Sequence, residues 1–121
     1  MKSTDKKGEK EVFLMTAELI SVGTEILLGN IVNTNSAYLA EKCAQLGLSL
    51  YYQTVVGDNE ERMRDTIKTA LSRSDILILT GGLGPTEDDL TKEVTAEVMG
   101  LPLKEDPHSR ELLDAYLQQY Q

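Results

Sequence analysis

The sequence predicts an α/β domain, a three-layer α/β/α arrangement with a mainly parallel sheet. Three observations carry that expectation. Apolar runs suited to buried strands, Ala17 to Val22, Leu48 to Val56 and Asp75 to Thr80, alternate with segments of helical periodicity. Each run leads into glycine followed by polar or acidic residues: Gly23-Thr24-Glu25, Gly57-Asp58-Asn59, and the stretch from Gly81 to Asp89. The third run is apolar without alternation, the pattern of a parallel strand covered on both faces. Strands alternating with helices pair in parallel through right-handed crossovers, which puts helices on both sides of the sheet.

Taken in order, residues 1–14 are polar and lysine-rich and read as a disordered or tag-like leader. Residues 15–121 form one domain, with Met15 a candidate alternative start. After the first strand, Ile26 to Val32 reads equally as a turn of helix or an extended loop. Asn33, Thr34, Asn35 and Ser36 supply N-cap candidates for a helix with Leu39, Ala40, Cys43, Ala44 and Leu46 inward and Gly47 at its end. Asp58 and Asn59 are cap candidates for the next helix, whose stripe is Met63, Ile67, Ala70 and Leu71. A helix from about Asp89 to Met99 is stopped by Gly100 and Pro102, and Leu101 to Leu103 reads as a short strand or an extended connection. Asp106-Pro107 opens the last helix, with a stripe of Leu112, Leu113, Tyr116, Leu117 and Tyr120. Tyr120-Gln121 still lies within that pattern, so the domain is expected to be incomplete at its C-terminus.

Composition narrows the function classes. The 121 residues carry a formal net charge of −8, which argues against a nucleic-acid surface, since that needs a basic patch. An acidic protein that binds phosphate must supply positive potential locally, through helix N-termini or a metal ion. The single cysteine, Cys43, cannot close an internal disulfide and suits a reducing, cytoplasmic setting. With one histidine, His108, a histidine-based triad or metal site has little to draw on. No apolar run approaches the length of a membrane span.

The most informative stretch is Leu79-Thr-Gly-Gly-Leu-Gly-Pro-Thr-Glu-Asp-Asp-Leu-Thr91. Glycines at a strand-to-helix turn let backbone approach a ligand closely, and the first N–H groups of the following helix lack intrahelical partners. Acids beside a phosphate cradle make sense when a divalent cation sits between them. The stretch is neither a Walker loop, because no Gly-Lys-Ser/Thr follows, nor a dinucleotide fingerprint, because Glu87 stands where the third glycine would fall. Each acid also has a structural alternative, as a helix cap for Asp58 or a favourable helix-terminus charge for Asp88 and Asp89. Ligands of parallel sheets bind beyond the carboxyl ends of the strands, and all three glycine-and-acid loops belong there.

At Glu18 to Asn35, Gln53 to Asn59 and Asp75 to Thr91, the sequence resembles the N-terminal domain of the CinA-type (competence/damage-inducible) proteins. These are a branch of the molybdenum-cofactor-biosynthesis fold family. The resemblance spans about residues 16–121, and Gly-Gly-Leu-Gly-Pro-Thr-Glu-Asp-Asp-Leu-Thr is specific to that branch. It implies a cytoplasmic homo-oligomer, a dimer, that acts on a small-molecule nucleotide and binds neither nucleic acid nor membrane. The implied activity is metal-dependent hydrolysis of ADP-ribose to AMP and ribose 5-phosphate. The implied cofactor is a divalent cation (Mg, Co, Ni or Mn), with potassium as a further candidate. Full-length relatives add a deamidase domain for which this chain has no room, and the family domain continues past residue 121.

On that basis Gly81, Gly82 and Gly84 present backbone N–H groups to a diphosphate, assisted by Thr86. Thr91, Asn33 and Asn35 complete the nucleotide-binding set. Asp58, Asp88 and Asp89 hold the cation, and Asp89, Asp58 and Glu25 are the candidate catalytic residues, Glu25 as a second metal contact or general base. Two alternatives stand beside this reading: a molybdopterin- or AMP-binding protein of molybdenum cofactor biosynthesis, and a truncated, non-catalytic nucleotide-binding domain.

Overall fold

The computed structural model describes residues 15–29, 34–84, 86 and 89–119. The expected leader therefore lies outside the described residues, as do Asn33, Asp88 and Tyr120. Three strands, β1 (Thr16–Val22), β2 (Ser49–Val56) and β3 (Ile76–Thr80), form a parallel sheet in the order β2-β1-β3. The helices are α1 (Thr24–Leu27), α2 (Thr34–Gln45), α3 (Glu60–Arg73), α4 (Thr91–Met99) and α5 (Pro107–Gln118). The chain moves one way from β1 to β2 and the other way, past β1, to β3. Right-handed crossovers then put α2 and α3 on opposite faces.

Side-chain alternation along central β1 feeds both layers. Ile20 and Val22 join Val56, Met63, Ile67, Ala70 and Val94 in one core beneath α3 and α4. Ala17, Leu19 and Cys43 are buried outside that cluster, and α2 packs on β1 and β2. On the α2 side, the buried Ser36 hydroxyl donates to Gln53 Oε1 of β2 at 3.0 Å. Cys43 is thus a small core residue, and His108 sits on an exposed turn of α5.

Local chemistry sets the helix ends. Asn59, not Asp58, caps α3, accepting the Arg62 N–H at 2.9 Å. Asp106 caps α5, accepting from the Ser109 N–H at 3.1 Å, with Pro107 in the first turn. The helix expected from Asp89 starts two residues later, because the Asp89 carboxylate is bonded back to Thr86 and the Thr91 N–H goes to the Gly82 carbonyl at 3.2 Å. Of the ambiguous segment after β1, residues 24–27 are a helical turn. Residues 101–103 form no strand and are exposed.

Several expected apolar stripes face outward. Leu46, just past the end of α2, and Leu71 of α3 are exposed, while Cys43 and Met63, Ile67 and Ala70 are buried. On α5, Leu112, Leu113, Tyr116 and Leu117 are all exposed. β3, expected to be covered on both faces, is half-buried throughout, because the sheet ends there among the described residues.

One buried charge stands at the opposite end of the sheet from the glycine loops. Glu18 is fully buried, and Arg73 grips it through Nε and Nη2 at 3.0 and 2.7 Å while the Ser74 hydroxyl donates at 2.8 Å. The guanidinium also lies 3.5 Å over the Tyr52 ring. The Arg73 bond, first, holds the Glu18 carboxyl below its ordinary pKa of 4.5, against the opposing effect of burial. A depressed native pKa means the pair stabilises the fold above that value and loses its contribution as the pH falls below it. Arg73→Met strands the carboxylate in an apolar setting, a strongly destabilising change for a buried pair. We expect its melting temperature at pH 7 to fall by about 5 °C or more. The deficit should shrink progressively as the pH falls below 4.5, and vanish once native Glu18 is itself protonated and needs no counter-charge. Equal melting curves at pH 7 would show that Arg73 contributes nothing there.

Candidate functional site

Parallel pairing brings the carboxyl ends of the three strands to one edge, and specific contacts tie the following loops together. The Gly23 N–H continues the β1–β2 ladder by donating to the Val56 carbonyl at 2.9 Å. One residue on, the Thr24 hydroxyl accepts the Asp58 N–H at 3.1 Å and donates to Asp58 Oδ2 at 3.2 Å. Glu25 follows, exposed, its carboxylate curled back over the loop: a Cβ added to Gly23 would lie 2.7 Å from Glu25 Oε1. Asn35 is exposed in the first turn of α2.

The loop after β3 turns on Gly81 and Gly82, at φ of 86° and 66°. A Cβ on Gly81 would stand 2.1 Å from the Val22 carbonyl oxygen, and one on Gly82 2.2 Å from Thr91 Oγ1. These positions need glycine for both conformation and space. Thr91 is buried; its hydroxyl donates to the Gly81 carbonyl at 2.7 Å, and its own carbonyl accepts from the Thr95 hydroxyl at 2.6 Å. Thr91 therefore props the loop. At the start of α4 the Thr91 N–H is already taken by the Gly82 carbonyl.

Asp89 gathers the rest of the loop. Its Oδ2 accepts the Thr86 hydroxyl at 2.5 Å and the Thr86 N–H at 3.2 Å, and the same oxygen fills the space that a Cβ on Gly84 would take. The Thr86 hydroxyl is the largest cause holding the Asp89 carboxyl below its ordinary value of 3.8. A carboxylate so stabilised is a poor general base and a good electrostatic or metal-binding group. Among the described residues, no three His, Cys, Asp or Glu side chains converge as a ready metal cage; Asp88 is outside them.

Sequence reasoning missed Thr24. Its signal was present: a hydroxyl one residue past the strand-ending glycine, level with Asp58 when the β1–β2 register is extended. Sequence reasoning also missed the Glu18–Arg73 pair.

Residues 18–119 match the family described as probable molybdopterin binding domain. The chain belongs to that family. Among curated relatives it is similar to competence-damage inducible proteins, 57% identical over 97 residues to one from Thermoanaerobacter sp. and 60% over 93 residues to one from Symbiobacterium thermophilum. Those alignments cover 80% and 77% of this chain but only 24% and 22% of the relatives, so the chain spans about a quarter of their length. In structure, it is similar to the protein CinA, of unknown function, from Thermoplasma acidophilum. The TM-score is 0.72 and the identity 37%, covering 78% of this chain and 56% of that one. The molybdopterin biosynthesis enzyme MoaB of Thermus thermophilus shares the fold at TM-score 0.64 and 20% identity, over 69% of this chain and 54% of that one.

Proposed function

We propose that this CinA-type domain binds a nucleotide diphosphate across the three strand-end loops and, with a divalent cation, hydrolyses ADP-ribose to AMP and ribose 5-phosphate. The observation that carries the reading is the joining of the loops: Asp58 is locked to Thr24, and the glycine turn is seated on the end of β1. Gly81 and Gly82 leave no room for a side chain because the Val22 carbonyl and the Thr91 hydroxyl fill that space, so the turn is held close against the end of β1 and the start of α4. The Thr86 N–H and hydroxyl, gathered on the Asp89 carboxylate, are donors of the kind a phosphate oxygen takes.

The donor chemistry fits a hard cation. Asp58 and Asp89 offer carboxylate oxygens at strand ends flanking β1, and Mg²⁺-like ions are commonly held by one or two carboxylates together with substrate phosphates. Mg, Co, Ni or Mn would serve, with potassium as a further ion; Asp88 and Glu25 complete the proposed set. The cation would neutralise charge on the bridging and leaving oxygens. Asn33 and Asn35 would contact the nucleotide, and Thr91 would act through the loop it props.

Incubating the purified chain with ADP-ribose, with and without Mg²⁺ or Co²⁺, tests this reading. AMP is expected only with the cation; a folded chain that yields none under either condition contradicts it. One observation, the family's description as a molybdopterin binding domain, favours a second reading in which the loops bind a pterin phosphate or AMP without hydrolysis. Calorimetric binding of AMP by a chain inactive on ADP-ribose would support that reading. The exposed leucines of α5 support a homo-oligomer, with a dimer the state expected by light scattering.

A further inference from the structure

We infer that Thr24 is a positioning residue for Asp58, setting the orientation of that carboxylate within the diphosphate site; the inference rests on the reading proposed above. Carrying the register Val22↔Val56 on by two residues brings Thr24 level with Asp58, and the Gly23 N–H to Val56 bond holds the two chains together there. One hydroxyl then makes two opposite contacts with one residue. It accepts from the Asp58 backbone at 3.1 Å and donates to the Asp58 side chain at 3.2 Å. Backbone and carboxylate of Asp58 are fixed together, by a β-branched side chain that is itself stiff at χ1.

The structural duty that Asp58 would otherwise have belongs to its neighbour. Asn59 caps α3, and its N–H closes a tight turn onto the Gly57 carbonyl at 2.8 Å. The Asp58 carboxylate is not needed to start the helix. It is held at Oδ2 by Thr24, and no hydrogen bond among the described residues uses Oδ1. A carboxylate kept in one orientation, with one oxygen uncommitted, suits an oxygen that must meet a cation or a phosphate-bound water. Valine has the shape of threonine without either contact, and serine keeps both contacts on a looser side chain, so the two substitutions separate the hydroxyl from the packing.

The test compares wild type with Thr24→Val, Thr24→Ser, Asp58→Asn and the Thr24→Val/Asp58→Asn double variant. ADP-ribose hydrolysis is followed as kcat, KM and the Mg²⁺ concentration for half-maximal rate. Amide hydrogen exchange at Asp58, and broadening of its amide resonance by Mn²⁺, are read by NMR. For Thr24→Val we expect about a tenfold loss in kcat/KM, the scale of one hydrogen bond to a charged group. A higher Mg²⁺ requirement, faster exchange at Asp58 and an unchanged melting temperature should accompany it. Serine should restore the rate to within about threefold, and valine should add nothing further when Asp58 is already asparagine. Wild-type kinetics in Thr24→Val, or the same fold-loss with and without the Asp58 carboxylate, overturns the inference. Should wild type itself leave ADP-ribose intact, the diphosphate reading falls and NMR decides the positioning role alone. Faster exchange and altered Mn²⁺ broadening in valine, reversed in serine, uphold it; unchanged signals overturn it.

Discussion

Asp89→Asn is expected to lower ADP-ribose turnover by about a hundredfold or more while leaving the domain folded. The carboxylate has two separable properties. As an acceptor, it collects the Thr86 hydroxyl and the Thr86 N–H, and so closes the loop that begins at Gly81. As an anion, it is available to a cation. An asparagine oxygen can still accept those hydrogen bonds, so the amide preserves loop closure and deletes the charge. Alanine deletes both, and should add loop disorder, visible as faster amide exchange at Thr86, to the same loss of rate. Wild-type turnover in Asp89→Asn, with unchanged circular dichroism, would remove the charge from the mechanism and leave Asp89 as a loop latch.

The titration of Asp89 bears on the same point. Hydrogen bonding from Thr86 holds its carboxyl below an ordinary value of 3.8, so the group is fully ionised above about pH 5. A limb of the pH–rate profile above that pH belongs to another group. That is the behaviour of a ligand or electrostatic partner rather than a proton acceptor tuned near neutrality.

Much of the framework was legible because it depends on local pattern. Three apolar runs, each leading into glycine, gave the strands, and the alternation with helical segments gave parallel pairing. The pairing in turn put the loops at one edge. What escaped was set by partners remote in sequence. Glu18 looks like a solvated strand acid until Arg73, 55 residues away, is seen to cover it. Thr24 means little until Asp58 is opposite. Exposure was misjudged where the neighbour was assumed: the α5 leucines have the right period for a core, but periodicity states only that a face is apolar, and among the described residues that face is exposed. The α4 start was misjudged for a different reason. Asp89 supplies a favourable charge for a helix N-terminus, yet its side chain bonds backward to Thr86, a local alternative that competes with helix.

Gly81→Ala is the second change expected to have a large effect, and Gly100→Ala is its internal control. Both glycines adopt left-handed φ, 86° and 67°. They differ in what surrounds the missing Cβ. Around Gly100, which ends α4, an added Cβ meets nothing within 4 Å. Its substitution should cost only the conformational penalty, about 1–2 kcal/mol. At Gly81 the same penalty applies, and the Cβ would stand 2.1 Å from the backbone carbonyl oxygen of Val22. Val22 ends the central strand and belongs to the core beneath α3 and α4. It cannot yield as a flexible side chain would, so the loop must lift away from β1. We expect a total cost of roughly 3 kcal/mol or more, or upwards of about 10 °C in melting temperature. Lifting also withdraws the Gly81 carbonyl from Thr91 and the loop from the strand ends, so ligand binding should fail even at temperatures where the variant remains folded. Equal losses for the two alanine variants would mean that the loop does not press on the end of β1. The seating of the glycine turn, and with it the convergence on which the proposed site depends, would then be wrong.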